Sequence, residues 1–485
     1  MNLAAIIALA VVLSTMLGAV VYGQRQSHGK STEEWAIGGR RFGMIIFWFL
    51  NAGEIYTTFA VLGISGFAWS FGAPAFMSLC SVSLSAIIGY WLTPKIWAVG
   101  ARRKFITQAD FFLDAYGSRF LGVVVALAGI AALVVYVQIQ ITALSMIVRL
   151  ALDANLSPLA AAVAGAALML TFVYVAGLRS AAFAAGVKDI LMLALVVGIG
   201  CTIAHRVGAT SILDIFRQVQ AQNPGIGKFP GLKPEEHLTT VWLITSSINV
   251  ALGTWIFPHM FQLCYSASDA NTIRRNAIWQ PLYSLSYFFI VLLGFAALVA
   301  HVHPPGGDLN GAVLQLVADR YPAWVGGLLA GTACLLALVP GSVLLLTCGT
   351  IFSRNVVQAA RPDLSDRAAL MVSRGSMIIF AGIAVFLTVG ANRSLVTIGL
   401  SAYASIGMLA PGVFLVFMKR RPRPGALLGG MAAGYATLLV PAMADFRRVH
   451  APEWDAGLIA LIINLLVVGA LSMALKSVRR PAVAF

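Results

Sequence analysis

Long uninterrupted runs of apolar residues recur along the whole chain of 485 residues. Most of them are close to the roughly 20 residues that a helix needs to cross a bilayer. Because the apolar positions are continuous rather than alternating, the pattern favours helices over barrel strands. It predicts an all-α integral membrane protein with thirteen transmembrane helices, at residues 3–22, 42–68, 75–92, 121–150, 159–175, 183–204, 241–261, 282–300, 325–351, 371–389, 395–417, 426–441 and 458–475.

The composition agrees with this pattern, since 59% of the residues are hydrophobic and only 11% are charged. Ordinary soluble domains carry about 25% charged residues. Most of the 33 Lys and Arg residues fall in segments that face the cytoplasm if the N-terminus lies outside and the C-terminus inside, and we predict that orientation. We expect a multi-pass protein of the cell membrane, the inner membrane if the source is bacterial. The net charge of +15 then reflects topology and contact with anionic lipids, and no nucleic-acid partner is expected.

Two of the predicted spans contain polar residues and helix breakers near their middle. The second span has Gly53 and Glu54 followed by three hydroxyl side chains, and the seventh has Asn249 and Pro258. A proline inside a helix removes one backbone hydrogen bond. Polar, broken spans at corresponding positions of two halves indicate an inverted-repeat secondary transporter, whose solute and coupling ion bind at unwound backbone near the membrane midplane.

This organisation divides the chain into five regions. We expect a first peripheral helix with an inner loop at residues 1–41 and a first repeat of spans 2 to 6 at residues 42–205. An outer loop with a short helix near residues 212–222 occupies residues 206–240. A second repeat of spans 7 to 11 follows at residues 241–418, and two peripheral spans with a short cytoplasmic tail occupy residues 419–485. Basic residues follow the first apolar run and none precedes it, so we interpret that run as a retained helix and not a signal peptide.

Several short motifs resemble the sodium:solute symporter family. They are Gly38-Gly39-Arg40 before the second span, Thr57-Thr58-Phe59 leading to Gly63 and Gly66 within it, Thr107-Gln-Ala-Asp110-Phe-Phe in an inner loop, and Pro258-His259-Met-Phe-Gln262 in the seventh span. The segments around Tyr56 and Lys188 look closest to a branch of monocarboxylate permeases. The resemblance covers nearly the whole chain and implies a LeuT-like fold, with five plus five spans, that takes up solutes by alternating access.

The resemblance also implies that the sodium site of the family has been lost. In the family, this site takes backbone carbonyls from the broken second span and two hydroxyls from the ninth span. Val339 and Pro340 stand where the hydroxyls are expected, and Ser342 is the nearest replacement. We therefore expect a degenerate sodium site at Gly53, Tyr56, Val339, Pro340 and Ser342.

Lys188 and Asp189 lie side by side in the sixth predicted span, where the family typically has an acidic residue near Ala185 and a Gln near Lys188. Charged residues at membrane depth are costly and usually functional. Burial disfavours the charged amine and a nearby carboxylate favours it, so a lysine in this setting can load and release a proton. Our hypothesis is that its ammonium replaces the sodium ion in a proton-coupled transporter, with Asp189 or Glu54 as partner. Alternatively, Lys188 extends to the cytoplasmic headgroups.

Polar side chains near the breaks are the candidate solute contacts, and each is about as readily explained by a hydrogen bond between helices. Helix N-termini at unwound segments favour anions, so we expect a monocarboxylate or a related small anion. The candidates are Tyr56, Thr57, Thr58, Gln138, Gln140, Ser246, Asn249, His259, Tyr403 and Ser405.

Other functions fit the sequence less well. A sodium-coupled symporter of a small solute such as an amino acid would need Ser342 or Thr347 to replace the missing ligands. A transporter-like sensory protein is expected to carry a signalling domain, whereas only residues 476–485 follow the last span. An enzyme is not expected, because motifs such as HExxH and GxSxG are missing from the sequence. The five Cys residues have no CxxC spacing, so we expect neither a metal site nor a disulfide framework. No cofactor is expected.

Overall fold

The computed structural model describes residues 3–25, 32–151, 156–390, 394–475 and 478–479. Most of these residues are helical, and the strands among them are the short antiparallel pair β1 (Arg420–Arg421) and β2 (Val478–Arg479). Apart from β2, the predicted cytoplasmic tail lies outside the described residues.

The helices follow one another along the chain, and the connections after α9 and α13 are the longer ones. Those of the first half are α1 (Leu3–Arg25), α2 (Thr32–Ile37), α3 (Met44–Gly53), α4 (Ser65–Phe71), α5 (Met77–Arg103), α6 (Gln108–Tyr116), α7 (Arg119–Ala151), α8 (Pro158–Arg206) and α9 (Ile212–Gln222). Those of the second half are α10 (Thr240–Thr254), α11 (Pro258–Ser266), α12 (Ala270–Ser284), α13 (Ser286–Val299), α14 (Ala312–Arg320), α15 (Ala323–Ile351), α16 (Gln358–Ala360), α17 (Asp366–Gly390), α18 (Leu395–Gly407), α19 (Ala410–Phe414), α20 (Pro424–Leu439), α21 (Pro441–His450) and α22 (Ala456–Ala474).

Within the described residues, eight helical segments are long and apolar enough to cross a membrane. Counting each sharply bent helix pair as one span raises that number to eleven. Shorter apolar helices at Met44–Gly53, Phe59–Phe71 and Pro158–Tyr174 occupy the places of the predicted second and fifth spans. The mostly helical, multi-pass architecture is therefore confirmed, whereas the number thirteen and the topology stay predictions.

Both spans that the sequence predicted to be broken are broken at the expected places. In the second span, α3 ends at Gly53 and helical structure resumes as a π-helical turn, Phe59–Ile64, which continues into α4. In the seventh span, α10 and α11 meet at an angle of 48° across Trp255 to Phe257. Pro258 begins α11, where its missing N–H removes no helical hydrogen bond.

Four other predicted spans differ from a simple straight helix. The predicted eleventh span bends by 48° between α18 and α19, and the twelfth is followed by α21 at an angle of 72°. Pro411 and Pro441 lie in the first turn of the second helix at these bends, a position that proline favours. The predicted fifth and sixth spans form one helical path, α8, with a kink at Gly177, whose φ of 61° suits glycine.

Two connecting segments are held by well-formed caps. The inner loop after α5 folds as α6, where Thr107 and Asp110 make a reciprocal capping box. The outer helix predicted near residues 212–222 is confirmed as α9, and the Ser211 hydroxyl accepts a hydrogen bond from the Asp214 backbone N–H at its start.

The centre of the structure is α15, which is almost wholly buried. It packs against α1, α7, α8 and α17. Glycines allow the close approach to α1, because a side chain at Gly327 would overlap the backbone of Ala5 and one at Gly331 would press on Val12. The breaks in the second and seventh spans lie among these buried helices and form the site described next.

Candidate coupling and solute site

The Lys188 ammonium lies against the break in the second span. Its Nζ donates hydrogen bonds to the backbone carbonyls of Gly53, at 2.8 Å, and Tyr56, at 3.1 Å. It also lies 2.6 Å from Oδ1 of Asp189, and both charged side chains are 0% exposed. The ammonium therefore has three oxygens as close neighbours. This inward position is not that of a side chain reaching for the cytoplasmic headgroups.

The local backbone explains why these carbonyls are within reach of Lys188. The last carbonyls of a helix have no partner inside it, and α3 ends at Gly53. Gly53 also leaves room for the ion pair, because a Cβ at this position would lie 2.6 Å from Oδ2 of Asp189 and 3.1 Å from the Lys188 Nζ. The break thus presents backbone oxygens to α8 at a point where no side chain intervenes.

The ninth-span part of the expected sodium site lies on α15. Val339 and Pro340 are buried there and offer no hydroxyl. The Ser342 hydroxyl donates to the Val339 carbonyl at 2.6 Å, and the Thr347 hydroxyl donates to the Val343 carbonyl at 2.8 Å. The hydroxyl hydrogens of both possible replacements are thus used within their own helix.

Glu54 is the second carboxylate near Lys188. It is 3% exposed, and its Oε2 has no hydrogen-bond partner within the described part of the chain. It interacts electrostatically with Lys188 and Asp189 on α8 and with Tyr136 on α7. Of the two partners predicted for Lys188, Asp189 makes the ion pair, while Glu54 remains nearby with an unpaired oxygen.

Two of the predicted solute contacts, His259 and Tyr403, come together with Tyr136 and Phe257 in what we call the aromatic cage. The Tyr136 ring centroid lies 5.3 Å from that of Phe257, 5.9 Å from that of His259 and 6.5 Å from that of Tyr403. Phe257 and Tyr403 meet edge to face at 5.2 Å. The Thr57 side chain, also predicted, lies beside the Tyr136 hydroxyl. The cage joins α7, α18 and the break before α11.

Three other predicted contacts, Tyr56, Ser246 and Asn249, lie outside the cage. The Tyr56 ring packs against Tyr283, while the Ser246 hydroxyl donates to the Trp242 carbonyl of its own helix. Asn249 lies against Gly457 at the start of α22.

The remaining polar candidates, Thr58, Gln138 and Gln140, link helices to one another. The Thr58 hydroxyl donates to Oε1 of Gln140 at 2.8 Å, and Nε2 of Gln138 donates to the Leu387 carbonyl on α17 at 3.0 Å.

Sequence reasoning missed Tyr136 and Phe257. Tyr136 lies in a long apolar run, where an aromatic residue resembles any other core residue. The one available signal for Phe257 is its position directly before Pro258, since the residue before a proline is held in an extended conformation. The φ and ψ of Phe257, −58° and 134°, agree with that restriction.

Comparison with known proteins decides the family. The model of the sodium:solute symporter family matches residues 35–434. The chain belongs to this family. The symporter YhjB of Bacillus subtilis, whose name calls it uncharacterized, is 32% identical over 98% of both chains. A protein of Rhizobium johnstonii named monocarboxylate transport permease is 28% identical, over 92% of this chain and 87% of its own. Membership in this symporter family confirms a transporter with a small-molecule solute and a coupling ion.

Solved structures agree on the fold. A Na⁺-coupled sialic acid symporter in a substrate-bound, outward-open state superposes with a TM-score of 0.78 over 99% of both chains, at 15% identity. Mhp1, a nucleobase-cation-symport-1 family transporter in a closed conformation, gives a TM-score of 0.54 at 14% identity. At these identities the likeness establishes the architecture alone, and it confirms the LeuT-like fold that the resemblance implied.

Proposed function

We propose that this symporter imports a small organic solute, a monocarboxylate or a related small anion, by alternating access and coupled to protons. The observation that carries the proposal is the position of the Lys188 ammonium on the carbonyls of Gly53 and Tyr56. These are the second-span positions at which the family pattern provides carbonyls to sodium. The Lys188 ammonium takes the place of a bound sodium ion. Val339 and Pro340 have no hydroxyl group that could complete a sodium site.

In this mechanism Lys188 is the coupling residue. While protonated, it holds the two halves of the second span through the carbonyls and pairs with Asp189. When the proton leaves, the hold on the break weakens and the halves of the span can move relative to α8. Glu54, with its unpaired oxygen, lies near enough to exchange the proton or to face the solute. Alternation between these states couples solute movement to proton movement.

The proposed arrangement has thirteen spans, with the N-terminus outside and the C-terminus inside. The broken second span, α3 with α4, and the first part of α8 complete the number when they are added to the eleven apolar segments. Spans 2 to 6 and 7 to 11 form the two repeats, and α1, α20 and α22 are peripheral. The Rhizobium johnstonii relative is named a monocarboxylate transport permease, and this name supports a monocarboxylate as the solute.

Uptake into proteoliposomes tests this proposal. Proton and sodium gradients are imposed separately, on wild type, on Lys188→Ala and on the double variant Lys188→Met with Asp189→Asn. We expect wild-type accumulation to follow the proton gradient and to be lost in both variants. The double variant is needed because removing the lysine alone leaves a buried carboxylate unpaired, at a cost of about 3–5 kcal/mol. Sodium-driven uptake that persists without the amine would refute proton coupling.

A further inference from the structure

The aromatic cage has the features of a binding site for a small solute. Tyr136, Phe257 and Tyr403 approach one another with ring centroids 5.2 to 6.5 Å apart. The cage lies at the break of the seventh span, and Glu54 and Thr57 bring the break of the second span to the same place. A solute held here would contact both proposed repeats, and because the rings are in contact with one another, they must separate to admit it.

Several buried polar atoms near the two breaks lack hydrogen-bond partners within the described residues, among them the Tyr56 hydroxyl and both carboxylate oxygens of Asp189. Two more are next to the cage. They are Oε2 of Glu54, in a side chain that is 3% exposed, and Nδ1 of His259, in a side chain that is 2% exposed. Leaving a buried polar group without a hydrogen bond is costly. The tyrosine hydroxyls, in contrast, have neighbours, since the Thr57 side chain lies beside Tyr136 and that of Thr254 lies beside Tyr403. Glu54 and His259 therefore supply unmet hydrogen-bonding capacity beside the cage.

We propose that the cage binds a compact carboxylate that carries a hydrogen-bond donor, a hydroxyl or an ammonium group, on the carbon next to the carboxyl group. Glu54 accepts the hydrogen bond from this donor. The hydroxyls of Tyr136 and Tyr403 donate to the solute carboxylate, and the rings of the cage cover its short apolar part. This inference rests on the proposed function and narrows its solute class.

The missing partner of Glu54 makes the site selective. A solute without a donor at the adjacent carbon fills the same space but leaves Oε2 unpaired in a dry site. Sites built to hydrogen-bond a solute reject analogues that lack the group more strongly than an apolar pocket rejects a change in size. The cost of one unpaired buried group corresponds to a roughly 5- to 150-fold loss of affinity. The preference should therefore be measurable with solutes of equal length.

Four three-carbon carboxylates separate the possibilities. Propionate has no polar group on the adjacent carbon, pyruvate has an acceptor, L-lactate has a hydroxyl donor and L-alanine has an ammonium donor. Counterflow of radiolabelled L-lactate and of L-alanine is measured in proteoliposomes, with unlabelled propionate and pyruvate as competitors. We expect L-lactate, L-alanine or both to exchange, and propionate and pyruvate to compete roughly 5- to 150-fold less well. Whichever labelled solute exchanges identifies the donor as hydroxyl or ammonium.

Variants of Glu54 test its role directly. Glu54→Met has a similar shape and no acceptor, so propionate should compete as well as the donor solute. Glu54→Gln keeps an acceptor and adds a donor, so the relative affinity should shift toward pyruvate; this variant also serves if the methionine variant fails to fold. Glu235→Gln makes the same charge change in the exposed outer loop and should match wild type.

Each result has a distinct meaning. Equal competition by propionate in wild type, or no exchange of either labelled solute, overturns the solute class. Full selectivity in Glu54→Met shows that Glu54 is not the acceptor and also overturns the inference. Sodium-driven uptake of L-lactate that loses its selectivity in Glu54→Met would overturn the proposed proton coupling while supporting this solute site.

Discussion

Gly53 is the residue on which the geometry of the Lys188 and Asp189 pair depends. It ends α3, contributes one of the two carbonyls that bind the ammonium, and leaves free the space that a side chain would occupy. A methyl group here would lie 2.6 Å from a carboxylate oxygen of Asp189. The pair cannot simply move away, because both side chains are fully buried. Gly53 thus both ends α3 and leaves room for the ion pair.

Gly53→Ala should therefore destabilise the protein and impair transport. Overpacking a close-packed site typically costs about 1–3 kcal/mol, and here it also displaces the ammonium from the carbonyls. Thermal unfolding in detergent, together with uptake in proteoliposomes, measures both effects. Gly198→Ala is the matched control on α8, since nothing lies within 4 Å of the added methyl group, and it should be neutral or slightly stabilising. Equal behaviour of the two variants would contradict this account.

At the residue scale, the sequence predicted which charged residues are unusual better than it predicted which side chains contact one another. Lys188, Asp189 and Glu54 stood out because charge inside an apolar run is rare, and the structure places the lysine on Gly53 and Tyr56. The sequence did not predict which polar side chains face the cage. Ser246 and His259 lie in the same broken span, yet one bonds within its helix and the other joins the cage. That difference depends on how the helices are rotated, which polarity alone does not specify.

At the element scale, α6 connects the π-helical turn after α15 to the break in the seventh span. At one end, Nε2 of Gln108 donates to the carbonyl of Ile256 at 2.5 Å, inside the break. Two residues later, Asp110 accepts hydrogen bonds from Arg354 and Asn355, in the π-helical turn that follows α15. The same carboxylate caps the start of α6. This short helix therefore links segments of both proposed repeats.

Replacing Asp110 by alanine should loosen this connection. The variant loses a helix cap and leaves partners of the carboxylate unpaired, so we expect a loss of about 1–3 kcal/mol in stability. Asp114→Ala on the same helix is the control, because its pairing with Arg103 is long, at 3.8 Å, and partly exposed; such pairs contribute about 0–1 kcal/mol. Chemical unfolding in detergent compares the two. A larger loss for Asp114→Ala would contradict the assignment.

The sequence predicted helices and breaks wherever the local composition is distinctive. Continuous apolar runs located the helices, and the polar residues around Gly53 and Pro258 located two breaks. The bend at Gly407 to Ala410 was not predicted, because its surroundings are apolar and Pro411 in the first turn of a helix is compatible with either a bend or a straight span. The helix α21 was not predicted either, since it lies beyond the apolar run that ends at Pro441.

At the scale of the whole molecule, the distribution of basic residues predicts which side of the membrane each loop faces. Glu235 belongs to the connection between α9 and α10, and Lys104 follows α5; both side chains are exposed. With the N-terminus outside, Glu235 lies outside the cell and Lys104 lies in the cytoplasm. The same two positions exchange sides if the orientation is reversed.

Single cysteines at these positions test the orientation. In a background without the five native cysteines, a membrane-impermeant maleimide applied to intact cells should label Glu235→Cys. It should label Lys104→Cys only after the membrane is permeabilised. Labelling in the reverse order would show that the N-terminus faces the cytoplasm. Because both residues are exposed, a failure to react in intact cells reports membrane shielding rather than burial in the protein.

The attachment of the Lys188 ammonium to the chain has a consequence for the conditions in which the protein works. A dissolved ion occupies a site in proportion to its concentration in the medium. A group on a side chain has a local effective concentration that is set by the length and stiffness of its link to the backbone. The carbonyls of Gly53 and Tyr56 therefore keep the protonated Lys188 ammonium as their partner at low and at high salt concentrations. Occupancy of this position by the ammonium therefore does not depend on the concentration of sodium in the medium.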